Sequence, residues 1–146
     1  MIDVANHALQ ITRIAWLVLL LALTASADVV QDLGRVKSSE DLARFILSMS
    51  TNDVALRSLL AGLDSTNSIQ PASYSSPVSV REICGTIIEE RFGGALGSGF
   101  YERGKRYEVR AICAFRDSDG NVWRYHIGIY EERQYRVMKD LLRKRL

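Results

Sequence analysis

Residues 107–129 read YEVRAICAFRDSDGNVWRYHIGI, two alternating runs on either side of an Asp-Gly turn. Tyr107, Val109, Ala111, Cys113 and Phe115 fall at every second position, the spacing that lines up side chains on one face of a strand. Trp123, Tyr125, Ile127 and Ile129 repeat that spacing after Asp117-Ser118-Asp119-Gly120-Asn121. Gly120 can take the positive φ that a tight turn demands, so the two runs are expected to pair as an antiparallel hairpin. Its buried face carries Cys113 and Trp123. Residues 96–103 are expected to add a third strand, joined through Arg103-Gly104.

Working outward, Val80, Ile83, Cys84, Ile87, Ile88 and Phe92 recur at helical spacing and make a broad apolar stripe that can cover a sheet face. Gly93-Gly94 is expected to end that helix in the left-handed conformation. A last helix runs from Glu131 to the end, with Val137, Met138, Leu141 and Leu142 apolar, an acidic start, and Arg143-Lys144-Arg145 at the dipole's negative end. Upstream, Leu42, Phe45, Ile46 and Met49, then Leu56, Leu59, Leu60 and Leu63, mark two short helices, with Ser38 or Ser39 capping the first and Ser50-Thr51-Asn52-Asp53 restarting the second. Between these parts, residues 64–79 hold six serines and both prolines. That composition reads as a flexible tether, the alternative being an ordered loop anchored by Ile69 and Tyr74. The expected fold is α+β: a short helical segment over 28–63, the tether over 64–79, and a domain over 80–146 built as helix, antiparallel three-stranded meander and C-terminal helix.

The first residues carry a different signal. Ile14 to Leu23 read IAWLVLLLAL, with Arg13 before the run and Thr24-Ala25-Ser26-Ala27 after it. Small residues behind a short apolar core are the layout of a secretory signal peptide, with cleavage after Ala27. Ten apolar residues fall short of the ~20 that a relaxed bilayer span needs. Residues 1–27 are therefore read as a signal peptide, or as an uncleaved anchor that tethers the chain through residues 14–27. A periplasmic or secreted location follows from the first, a single-pass membrane anchor from the second.

Export bears on the cysteines. Cys84 and Cys113 are the only two in 146 residues, and oxidising compartments favour pairing. The helix stripe and the strand alternation place both sulfurs in one layer, so a Cys84–Cys113 disulfide is expected, worth on the order of 3 kcal/mol. Two buried free thiols are the alternative. With His7 in the leader, only His126 would remain beside two thiols, too few for a structural zinc site.

The order of helix, meander, Tyr107-Glu108-Val109, Asp119-Gly120-Asn121 and the alternating strand Trp123–Ile129 resembles the PepSY domain over about residues 79–137. Ile129-Tyr130-Glu131-Glu132-Arg133 stands where that family closes with Asp-x-x-Thr-Gly. The resemblance implies a small α+β module of bacterial envelope or secreted proteins, some of which accompany protease propeptides and are proposed to inhibit peptidases.

No catalytic set emerges. Gly97-Ser98-Gly99 lacks the surroundings of a nucleophile elbow. Glu89-Glu90 and Glu131-Glu132 are helix neighbours that point apart, and Asp117-x-Asp119-x-Asn121 lacks the distal glutamate of a calcium loop. Neither enzyme activity, nor a metal, nor a small-molecule cofactor is expected. Arginine supplies 15 of the 19 basic residues in a chain of net charge +2, which suits forked contacts to carboxylates more than coating nucleic acid. Arg110, Arg116, Arg124, His126 and Tyr130 alternate away from the Trp123 face and are the candidate partner-binding residues, beside Ile112 and Ala114. From Arg81 onward 14 basic residues face 10 acidic ones.

The expected function is an exported, non-catalytic binding or inhibitory module acting on an envelope or extracellular protein with an acidic surface. The alternative is a membrane-tethered component of an envelope or secretion assembly. A nucleic-acid-binding domain using the basic sheet face ranks third, since export would remove it from that ligand. N-terminal sequencing of the mature protein separates the first two: Asp28 as first residue is the expected result, and Met1 indicates the anchor.

Overall fold

The computed structural model describes residues 28–51, 56–104 and 108–146. The signal or anchor reading of 1–27, the Asn52-Asp53 restart and the placement of Tyr107 lie outside the described residues. The observed class is α+β. Helices α1 (Val29–Leu33), α2 (Ser39–Thr51) and α3 (Leu56–Gly62) come first, followed by the two-residue strands β1 (Ser68–Ile69) and β2 (Val78–Ser79). Helix α4 (Val80–Phe92), strands β3 (Val109–Arg116) and β4 (Val122–Gly128), and helix α5 (Glu132–Arg145) complete the described elements.

Helices α1, α2, α4 and α5 start where polar side chains can replace missing backbone partners. Asp28 Oδ1 accepts from the amides of Val30 and Gln31. Ser38 Oγ accepts from Asp41 N at 3.1 Å, while the Asp41 carboxylate accepts from Lys37 N. Ser79 Oγ accepts from Glu82 N and donates to Glu82 Oε1. At α5, Gln134 Oε1 accepts from the amide of Glu131 at 2.9 Å.

Helix α4 lies at the centre. Every residue from Ile83 to Ile88 is buried, including Gly85 and Thr86. Strand β4 lies over α4 and β3 over α2, while α2, α3 and α5 also pack on α4. One apolar cluster runs from Val29 through Leu42, Ile46, Leu59, Ile83 and Ile127 to Leu142, so the helical segment and the α+β part share a core.

Residues 64–79 do not hang free as a tether. Ile69 and Tyr74 pack against the core, and β1 pairs with β2 through Ser68–Ser79 and Ile69–Val78. The amide of Ala72 donates to Lys37 O at 2.8 Å, and the Tyr74 hydroxyl donates to Ile112 O at 2.9 Å. Two apolar anchors and a handful of hydrogen bonds outweigh what the serines imply about composition.

The hairpin has two strands, not three. Residues 96–103 form turns after a 3-10 segment, Gly93–Ala95. The carbonyls of Gly99 and Phe100 are taken by α5 side chains, through Arg133 Nη1 at 2.7 Å and Gln134 Nε2 at 3.0 Å. No ladder partner is then needed for them. Nor does Gly93 end α4 in the left-handed region: its φ is −48°, and Gly97 takes +87° instead.

The expected disulfide is absent, and Cys84 and Cys113 are both free and buried. The two periodicities place both residues in the core, but helix α4 is packed from several sides at once. Cys84 faces α3, where a Cβ built on Gly62 would overlap its sulfur. Cys113 pairs with Tyr125 on the hairpin, whose β3 strand rests on α2. Burial pushes both thiols up to about 12, which keeps them protonated and inert.

Two glycines set the spacing of these layers. A methyl on Gly62 meets Cys84 Sγ, and one on Gly85 lands within 2.7 Å of the Tyr130 ring. Gly62→Ala and Gly85→Ala should therefore each lower stability by ~1–3 kcal/mol through overpacking, read as a fall in urea midpoint. Gly93→Ala is the control. Nothing lies within 4 Å of its added carbon, and helical φ suits alanine, so its midpoint should hold or rise.

Candidate functional site

The hairpin register fixes which side chains face outward. Cys113 pairs with Tyr125, Ala114 with Arg124, Ile112 with His126, and Arg116 with Val122. Cys113, Phe115, Tyr125 and Ile127 are buried beneath, whereas Ile112 and Val122 are each 52% exposed on the outer side. Arg110, Arg116, Arg124 and His126 are exposed around them.

The five expected binding residues do not behave alike. Arg110 is engaged: its Nε donates to Glu82 Oε2 at 3.0 Å. Arg116 Nη1 donates to the Gly120 carbonyl at 3.1 Å, bracing the turn. Arg124 makes no side-chain hydrogen bond or ion pair among the described residues. His126 lies near enough to Glu90 to favour that carboxylate's ionised form, although burial and Glu89 together hold the Glu90 pKa above its ordinary value. Tyr130 does not belong to the outer face at all. It is 8% exposed, its hydroxyl donates to Glu89 Oε1 at 2.8 Å, and its ring packs on Gly85 and near Tyr135. The strand ends at Gly128, so the alternation that put Tyr130 outside no longer applies two residues later.

Trp123 departs from expectation in the opposite sense. Its position is on the inner face, yet it is 40% exposed, against 6% for Tyr125 and 0% for Ile127. The core tapers towards the turn. At Phe115, opposite Trp123, the Arg44 guanidinium lies over the ring at 4.5 Å, and a charged lid of this kind marks the edge of the apolar layer. The Trp123 indole Nε1 donates to Asp117 Oδ2 at 3.0 Å. Asp117 Oδ1 also accepts from the amides of Asp119 and Asn121, so the Asp-x-Asp-x-Asn run builds the turn.

Sequence reasoning missed the polar clamp on the far side. Arg81 donates from both Nη atoms to Glu132 at 2.6 and 2.7 Å, and from Nε to Leu63 O at 3.0 Å. Its guanidinium also sits 3.8 Å from the Tyr135 ring centroid. Lys139 pairs with Asp64. Partners 51 residues apart in sequence leave no local pattern to read.

Among the described residues no three His, Cys, Asp or Glu side chains gather in a way that could hold a metal ion. Gly97-Ser98-Gly99 is an exposed turn. No described helix is long and apolar enough to cross a membrane. The chain matches no family model, no curated protein and no solved structure.

Two outcomes follow from the Asp117–Trp123 arrangement. Trp123→Ala should cost about 1 kcal/mol, well short of the ~3–5 kcal/mol of a core aromatic, measured by urea denaturation. The indole bond, followed by the two backbone amides, holds the Asp117 carboxyl below its ordinary range. A depressed carboxylate contributes above its unfolded pKa and loses that contribution as pH falls through the folded value. The Trp123 indole proton resonance should accordingly shift with a midpoint below pH ~3.9, the ordinary aspartate value. Asp117→Asn should abolish that step.

Proposed function

We propose that the chain is an exported, non-catalytic binding or inhibitory module that engages an acidic surface on an envelope or extracellular protein. The observation that carries this reading is the outer face of the hairpin. Ile112 and Val122 stand half exposed there, and Arg124 reaches solvent with no partner of its own among the described residues. Exposed apolar side chains on either side of a central arginine, Ile112 and Val122 flanking the Ala114–Arg124 pair, have the composition of a recognition patch. Forked guanidinium groups select carboxylates. The apolar run Ile14–Leu23 supports export, and the PepSY resemblance over about 79–137 supports the inhibitory variant. The membrane-tethered reading keeps residues 14–27 as an anchor and makes the chain a component of an envelope or secretion assembly.

The test is a photo-crosslinking residue placed at position 112 in cells, with position 136 on α5 as the control site. Crosslinks to an exported protein from 112 and not from 136 are expected. Arg116→Ala combined with Arg124→Ala should cut their yield severalfold while leaving the thermal midpoint within about 2 °C, as surface substitutions do. The loss should shrink as salt rises from ~0.05 to ~0.5 M, since rim charges act through screened attraction. Equal yields from 112 and 136 would refute the reading.

A further inference from the structure

Backbone geometry narrows the mode of binding. Asp117 N donates to Asn121 O at 2.9 Å, and alternation from that bonded pair along the register makes Ile112 and His126 a pair whose own backbone groups point away from each other, which leaves the Ile112 carbonyl to accept the Tyr74 hydroxyl from outside the hairpin. The same parity sends the N–H and C=O groups of Val122, Arg124, His126 and Gly128 to the outer edge of β4. At one end the edge is closed, where Gly128 N donates to Thr86 Oγ1 at 3.1 Å. Along Val122, Arg124 and His126 it is open. Among the described residues the sheet holds β3 and β4 alone, and none of those three residues finds another partner.

We propose that this edge is a strand-addition site for an extended acidic segment of a protein partner, with carboxylates at alternate positions. The inference rests on the acidic-partner reading above and specifies its geometry. A strand laid along β4 exchanges backbone hydrogen bonds with Val122, Arg124 and His126. Its residues opposite Arg124 and His126 are two apart and emerge on the outer face beside a guanidinium and an imidazole, both hydrogen-bond donors, so glutamate or aspartate is selected at both. The residue between them points to the inner side, next to Tyr125. Charged residues on an edge also deter self-pairing. That argues against a second copy as occupant, because antiparallel β4–β4 contact would bring Arg124 and His126 against their own kind.

The probe is a heptapeptide alternating glutamate with valine and threonine, compared with its lysine counterpart and with a glutamate version carrying a central proline. Each is added to the 15N-labelled full chain in mild detergent, and amide exchange is followed by NMR. The glutamate peptide should slow exchange at Val122, Arg124 and His126 at least fivefold, whereas the other two should leave it unchanged. Arg124→Ala should weaken peptide binding about tenfold. Val122→Pro deletes one outward N–H while keeping every charge and the β3 ladder, and should weaken it as well. Exchange on the native sequence decides the matter even if the proline variant fails to fold.

Binding of the glutamate peptide with unchanged exchange at those amides would overturn edge addition and leave the outer-face reading standing. Wild-type affinity in a folded Val122→Pro variant would do the same. Protection that grows with protein concentration in the absence of peptide would assign the edge to a second copy and refute the proposal. No binding of any peptide at millimolar concentration would also refute it, with the outer-face reading then judged by crosslinking from position 112.

Discussion

Burial of the middle of α4, Ile83 to Ile88, on all sides is the constraint on which the other contacts depend. A helix exposed on one face tolerates polar residues there, but Ile83 to Ile88 leave no such face. Besides Cys84, two non-aliphatic residues occupy that stretch and both answer a neighbour. Gly85 admits the Tyr130 ring, and Thr86 satisfies itself by donating to Glu82 O while accepting from Gly128 N. That threonine ties the central helix to the end of β4. A buried hydroxyl without such partners would cost about 1–3 kcal/mol.

Around this helix the polar contacts divide by role. Arg81, Lys139, Arg133 and Gln134 hold α5 and its flanking turns in place. Glu82 holds Arg110 at the sheet. Exposed ion pairs of this kind contribute ~0–1 kcal/mol each, so their value lies in fixing orientation. The stabilising term remains the apolar cluster that gathers segments from Val29 to Leu142. Arg124 stands outside the clamp, which leaves its charge available to whatever approaches the hairpin.

Much of this was legible in local pattern. Period-two alternation marked Cys113, Phe115, Tyr125 and Ile127 as buried, helical spacing marked Ile83, Cys84, Ile87 and Ile88, and Gly120 marked the turn. The failures share a cause. Alternation says which face a residue occupies and nothing about how far the core extends, hence Trp123. It also stops at the strand end, hence Tyr130. Coincident stripes show that two cysteines enter one core without showing that they meet, hence Cys84 and Cys113. Serine content described residues 64–79 correctly as polar, yet two anchors, Ile69 and Tyr74, decided their order. The outer cations were found from spacing alone. Which of them are already paired depends on Glu82 and Gly120, whose positions only the fold supplies.

The two free thiols give the molecule a pair of built-in clocks. Cys84 is held between α3 and α4 at Gly62, and Cys113 lies beneath the hairpin. A thiol at this depth becomes reactive only while the layers above it part. Cys113 therefore times the lifting of β3–β4 from α2, and Cys84 times the separation of the helical layers, two openings whose rates need not agree. A strand bound along β4 would slow the first clock and leave the second running.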